Sequence, residues 1–238
     1  MIKKALISGV SFASLLLLLA ACSPNGTSSS NSSKDSAATS QSTSMSTSKA
    51  SEAKAQAGEI IGKDSNADKT AVDITKPGDS VTFEVPATKE EGYLHFAFMH
   101  AASGMKGWYF APESKDGIAL SKAMFDGDKT VNITDKIALF AAPDASTSKA
   151  VTANDGELKY GKANDYLTAT VALKDGNYEV TIENTSAGDF ETPFSSGVWE
   201  LSTSKEAGFD HTASAALSKL ATSGHRDDLY KEVQAEVK

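Results

Sequence analysis

Runs of alternating apolar and polar residues, punctuated by glycine- and aspartate-rich turns, limit what this chain can fold into more than any other feature. Across residues 80–85, Val81, Phe83 and Val85 fall on one side of an extended backbone. Further runs cover residues 93–99, 131–134, 137–140, 166–173 and 178–183. A period of two is the signature of strands with one buried face. Between the runs stand Pro77-Gly78, Asp126-Gly127-Asp128, Asn154-Asp155-Gly156 and Lys174-Asp175-Gly176-Asn177, all turn-forming sequences. Short strands at this spacing predict an antiparallel β-sandwich. The period changes only near the end, where Ala213, Ala216, Leu217 and Leu220 recur at helical spacing, followed by Leu229, Tyr230 and Val233. Gly224 is placed to end the first helix and Asp227 to cap the second. The expected fold is all-β, a sandwich with a short C-terminal helical hairpin, over residues 73–238. That length suits one domain.

The N-terminus has a different logic. Lys3 and Lys4 precede an apolar run over residues 5–20, which ends in Leu19-Ala20-Ala21-Cys22. This is the layout of a secretory signal peptide, here residues 1–21. The apolar run is shorter than the roughly 18–20 residues a spanning helix needs. The Leu-Ala-Ala-Cys ending resembles the bacterial lipoprotein box, which implies that Cys22 is lipidated and becomes the mature N-terminus. As the only cysteine, Cys22 can form no disulfide within the chain. Of the 29 residues from Ser23 to Ser51, 17 are Ser or Thr, with no aromatic residue among them. Such a segment buries too little surface to offset its ordering entropy, so residues 22–72 are expected to form a disordered tether. Residues 49–58 are at most weakly helical, with nothing to give them a partner face. As a flexible coil, residues 23–58 span on the order of 30–35 Å.

Charge and motif content narrow the function. Without residues 1–21 the chain has 21 basic and 31 acidic residues, a formal charge of −10. An acidic surface lacking a basic cluster argues against nucleic acid and against docking on anionic lipid, so membrane association rests on the lipid at Cys22. No Gly-x-Ser-x-Gly elbow, phosphate loop or His-Glu-x-x-His motif occurs in the mature chain. Asp64, Asn66 and Asp68 match the start of an EF-hand loop, but Lys69 and Thr75 stand where Gly and Glu are needed. The four histidines, His95, His100, His211 and His225, show no metal-binding spacing and are expected on the surface or rim, although His95 and His100 flank one strand. Trp108, Tyr109 and Phe110 are consecutive, so they cannot share one buried face of a strand. Trp108 and Tyr109 are therefore the candidate ligand-binding residues.

Several pieces together resemble the bacterial spondin-type domain. Asn184-Thr185, Pro193-Phe194-Ser195-Ser196-Gly197-Val198-Trp199 and Ala213-Ser214-Ala215-Ala216-Leu217 are similar to that family's opening strand, Pro-Phe-Ser-Pro-Gly-Val segment and first helix. Its later pieces look like Pro77 to Phe83, Leu94 to Met99, Trp108-Tyr109-Phe110-Ala111-Pro112-Glu113, Gly117 to Leu120 and Ile137 to Ala142. Here they come first in the chain. The resemblance thus implies a circular permutation, with residues 151–177 joining the old ends. It also implies a calcium site, held by acidic residues of two loops. Carried over, those positions are Gly107, Ala141 and Ala145, and all three carboxylates are absent. Ca²⁺ takes six to eight oxygens, so no metal and no cofactor is expected, with Asp144 the one acidic residue left in the second loop. The implied function is a non-catalytic adhesion or binding module on a lipid-anchored protein of the cell surface, in a Gram-positive setting suggested by the long tether. Its partner would be an extracellular protein or polysaccharide. The alternative is an envelope hydrolase or carbohydrate-active enzyme with an unrecognised site.

Overall fold

In the computed structural model, residues 55–62, 73–126 and 129–237 are described. Cys22, the signal-like start, the Ser/Thr-rich stretch, Asp64, Asn66, Asp68 and Asp128 lie outside them. The strands in chain order are β1 (Gln56–Ile60), β2 (Ile74–Thr75), β3 (Ser80–Pro86), β4 (Gly92–His100), β5 (Trp108–Pro112) and β6 (Ile118–Leu120). They continue as β7 (Val131–Asn132), β8 (Ile137–Ala141), β9 (Lys149–Ala150), β10 (Leu167–Lys174), β11 (Asn177–Asn184) and β12 (Phe194–Ser202). Helices α1 (Ala215–Ser223) and α2 (Asp227–Glu236) follow.

Four of the six alternating runs build the smaller sheet, in the order β3-β11-β10-β7. Its inward residues are Val81, Phe83 and Val85 of β3, Leu167, Ala169 and Val171 of β10, and Tyr178, Val180 and Ile182 of β11. The other face meets solvent, where Thr82 and Thr181 pair their hydroxyls across the strands at 2.9 Å. Asp175 and Gly176 both have positive φ (49° and 86°) and close a two-residue hairpin between Lys174 and Asn177. That is a type I′ turn, whose twist suits the strands it joins.

The larger sheet runs β1-β12-β4-β5-β8-β9, with β2 beside β12 and β6 beside β4. It is covered on both faces. All nine residues of β4 and all five of β5 are buried. One face, carrying Leu94, Phe96, Phe98 and Phe110, packs on the smaller sheet. The other, carrying Ala97, Tyr109, Ala111, Phe140 and Val198, receives Ala216, Leu217, Leu220, Ala221, Leu229 and Val233 of the helical hairpin. The architecture is therefore a β-sandwich with helices as a third layer. Ser214 caps α1 by accepting from the Leu217 N–H (3.0 Å), and Gly224 ends it with φ at 73°. Asp227 sits in the first turn of α2 rather than at its cap, where its charge still complements the helix dipole.

One expectation about the domain needs correction. The ordered domain begins before residue 73, because Gln56–Ile60 forms an edge strand antiparallel to β12. Its sequence has no apolar alternation. It is held by backbone pairing, by burial of Ile60, by the Trp199 ring against Gly58, and by Arg226 Nε donating to Glu59 at 2.7 Å. Ser195-Ser196-Gly197 forms a bulge inside β12, where pairing with β4 slips between Phe194 and Gly197. The Ser195 hydroxyl accepts the Met99 N–H (2.9 Å) that the broken ladder leaves. A Cβ at Gly197 would stand 2.3 Å from the Ala97 carbonyl oxygen, so only glycine allows this approach.

Asn184 is the polar hub of the domain. Fully buried, it donates from Nδ2 to the Thr75 and Thr192 carbonyls (2.9 and 2.8 Å). Its Oδ1 accepts from the Ser186 N–H and hydroxyl (3.1 and 2.7 Å). Both donors and both lone pairs are used. Asn184→Asp turns a donor toward two carbonyls into an acceptor and is expected to cost about 3 kcal/mol or more. Urea unfolding should show the midpoint falling with the slope unchanged.

Candidate functional site

The aromatic triplet that sequence reasoning offered to a ligand is enclosed. Trp108 is 4% exposed, and Tyr109 and Phe110 are not exposed at all. Consecutive aromatics can all be buried because β5 has two covered faces. Trp108 and Phe110 enter the sandwich core, while Tyr109 enters the helical layer. The Tyr109 hydroxyl donates to the Asp210 carbonyl (2.8 Å) and lies 3.0 Å from the Ser148 hydroxyl. Trp108 and Tyr109 are core residues, not a ligand face.

Gly107, Ala141 and Ala145 converge only in part. Trp108 pairs with Ala141 in the β5–β8 ladder, and the Ala142 N–H donates to the Gly107 carbonyl at 2.9 Å. The loop before β5 and the loop after β8 thus meet backbone to backbone. Gly107 has φ at 65°, and a Cβ there would stand 2.7 Å from the Ala142 oxygen. Ala145 is exposed farther along the second loop. The Asp144 carboxylate is engaged locally, accepting from the Ser146 hydroxyl (2.6 Å), the Ser146 N–H (2.9 Å) and the Thr147 hydroxyl (3.0 Å). These bonds hold its pKa below the usual value. Beside Gly107, the Lys106 ammonium pairs with Asp155 (2.7 Å) and Glu157 (3.0 Å). This cation, with the Leu158 and Glu157 N–H groups, draws the Asp155 carboxyl down to about 2. Among the described residues, no group of three or more His, Cys, Asp or Glu side chains is placed to hold a metal.

His95 and His100 are buried rather than at the rim, again because both faces of β4 are covered. On the helical side, His95 Nδ1 lies 3.0 Å from Asp210 Oδ1, with side chains 1% and 0% exposed. Asp210 also accepts from the Phe96 N–H (3.3 Å). Burial disfavours the imidazolium, but the Asp210 bond and the charges of Asp210, Glu200 and Asp116 outweigh it, and the pKa of His95 is raised. Its Nε2 has no hydrogen-bond partner among the described residues and faces Gly117. Glu200, its neighbour on β12, has a raised pKa, mainly through burial. Both line a polar cleft of about 240 Å³ together with Glu206, Glu236, Ser202 and Gly208. On the sandwich side, His100 packs edge-on against Trp108 and Tyr166, with ring centroids 5.6 and 5.3 Å away. Burial there pushes its pKa down to about 4. No spacing rule links His95 to Asp210, 115 residues away, so this pair was not foreseen. His211 is half-buried, with Nε2 at 2.9 Å from the Pro112 carbonyl, and His225 is exposed.

No protein-family model, curated protein or solved structure matches this chain.

The two buried histidines pull pH dependence in opposite directions. The lowered pKa of His100 means the native state is favoured by its neutral form above pH 6.5. That contribution, on the order of 3 kcal/mol, is lost as pH falls toward 4. The raised pKa of His95 gives a contribution present below pH 6.5 and lost as pH rises through the folded value. His100→Phe should flatten the acid limb of a Tm–pH curve, and His95→Gln the decline above pH 6.5. Trp108→Ala and Tyr109→Ala should each cost about 3–5 kcal/mol as core truncations, read as a fall in Tm.

Proposed function

We propose that the protein is a lipid-anchored surface protein whose β-sandwich is a non-catalytic, spondin-like binding module, held off the membrane by its Ser/Thr-rich segment. The observation that carries the module reading is the meeting of the Gly107 loop with the loop after Ala141. The resemblance requires those two loops to stand together, although they lie more than 30 residues apart in sequence. Interleaving of the two halves adds support: β3 pairs along its length with β11, and β12 lies between β1 and β4. A permuted sandwich needs such exchange, and residues 151–177 supply the joining segment. The anchor rests on Lys3, Lys4, the apolar run and the Leu-Ala-Ala-Cys ending.

In this reading the calcium clamp of the family is replaced by an internal cation. Lys106, one residue before Gly107, bridges to Asp155 and Glu157 of the joining segment. An ammonium with two carboxylates can pin a loop without a metal, although partly exposed pairs of this kind contribute little energy. The second reading, an envelope hydrolase, is favoured by the His95–Asp210 pair, since a carboxylate on Nδ1 is how a catalytic imidazole is oriented. Enclosure of both side chains weighs against it.

Two measurements test the proposal. Cys22→Ser should abolish fatty-acid labelling and move the protein from the membrane pellet to the medium, because stable anchoring takes more than one acyl chain or a second signal. A variant still in the pellet would overturn the anchor. Millimolar Ca²⁺ should leave Tm unchanged, since a ligand bound only by the folded state would raise it. A rise of several degrees reversed by a chelator would contradict the lysine substitution.

A further inference from the structure

Beside residues 137–139 of β8 lies a cleft of about 420 Å³, within the range of small-molecule sites. Buried Ile137 and Leu139 contribute its apolar floor, and half-buried Tyr160 lines it from the facing turn. Glu113, Asp135, Lys162 and Asn164 stand exposed around it. The side chains of Glu113, Asp135 and Asn164 make no hydrogen bond or ion pair with another described residue.

The segment carrying Tyr160 is fixed to an extent an idle surface loop does not require. The Tyr160 N–H donates to Asn154 Oδ1 (2.8 Å), and the Lys162 N–H to Asp165 Oδ2 (2.8 Å). The Tyr166 hydroxyl donates to the Lys159 carbonyl (2.8 Å). Asp155 accepts the Glu157 and Leu158 N–H groups (3.0 and 2.7 Å) while its carboxylate also pairs with Lys106. A wall held this way is pre-organised, which lowers the ordering cost of binding.

We propose that this cleft binds a short neutral saccharide, with Tyr160 against the apolar face of a pyranose and Asn164, Glu113 and Asp135 taking its hydroxyls. A sugar offers one apolar face and a ring of groups that both donate and accept, and this lining provides the complement. Two carboxylates against one ammonium disfavour an anionic polymer and fit a neutral or N-acetylated one. An added peptide strand suits the edge poorly. Ile137 to Leu139 spans only about 10 Å. The Leu139 carbonyl already accepts the Val151 N–H (2.9 Å), and the Ile137 N–H already goes to Thr134. The assignment deepens the binding-module reading and rests on it only for where the glycan is met.

The test is titration of the purified full chain with an N-acetylglucosamine tetramer, with a sulfated tetrasaccharide and an extended peptide pool as controls. Saturable binding of the neutral tetramer is expected, with a Kd of about 1 mM or tighter. Asn164→Ala and Tyr160→Ala should each weaken it at least tenfold, and Asn164→Ala should leave Tm unchanged. No saturation by the neutral tetramer, equal binding of the sulfated one, preference for peptide, or indifference to Asn164→Ala would each overturn the assignment. Failure here with intact release by Cys22→Ser would leave the surface reading standing. Failure of that release with saturable sugar binding would do the reverse.

Discussion

The covering of the larger sheet on both faces is the constraint on which the rest of this structure depends. A sheet sandwiched between a second sheet and a helical pair has no free side, so every residue of β4 and β5 must be buried. Large apolar side chains contribute about 1.5–3 kcal/mol each when fully buried, and Phe96, Phe98, Tyr109 and Phe110 are all within 2% of complete enclosure. The same covering decides the fate of the polar residues on these strands. His95 needs Asp210, Tyr109 needs the Asp210 carbonyl, and the main chain at Met99 needs the Ser195 hydroxyl. Burying any of these without its partner would be costly.

Legibility in the sequence followed the same division. Strands β3, β10 and β11 face solvent on one side, so their alternation announced them. The helical pair was readable from Leu217, Leu220, Leu229 and Val233 and from the Gly224 stop. Strands buried on both sides lose the alternation that identifies a face, and for that reason the consecutive Trp108 and Tyr109 read as ligand candidates although both are core. β1 was hidden for another reason: Gln56, Ala57 and Gly58 carry no apolar pattern, and a tryptophan and an arginine far along the chain meet the strand at Gly58 and Glu59. The His95–Asp210 pair and the cleft beside β8 bring together residues with no sequence periodicity in common. Only the topology could reveal them.

Asn184, Ser195 and Gly197 have structural jobs. Asn184 ties together three segments through four hydrogen bonds, Ser195 mends the ladder at the bulge, and Gly197 lets two backbones approach. Such residues set architecture, whereas a ligand is chosen elsewhere, by side chains on loops and edges. The cleft lining at Tyr160 and Asn164 lies in the stretch between β9 and β10.

The place of β12 between β1 and β4 also governs how the protein can be made. Gln56 pairs with Leu201 and Tyr93 with Ser202, so β1 has no strand partner, and β4 no partner on that side, until residue 202 has been synthesised. The smaller sheet waits in the same way, because β3 has no neighbour before β11. Pairings at such sequence separation are slow to form. A nascent chain with this topology keeps both sheets incomplete until nearly its last helix, so its unpaired strand edges need protection from wrong pairing for most of synthesis.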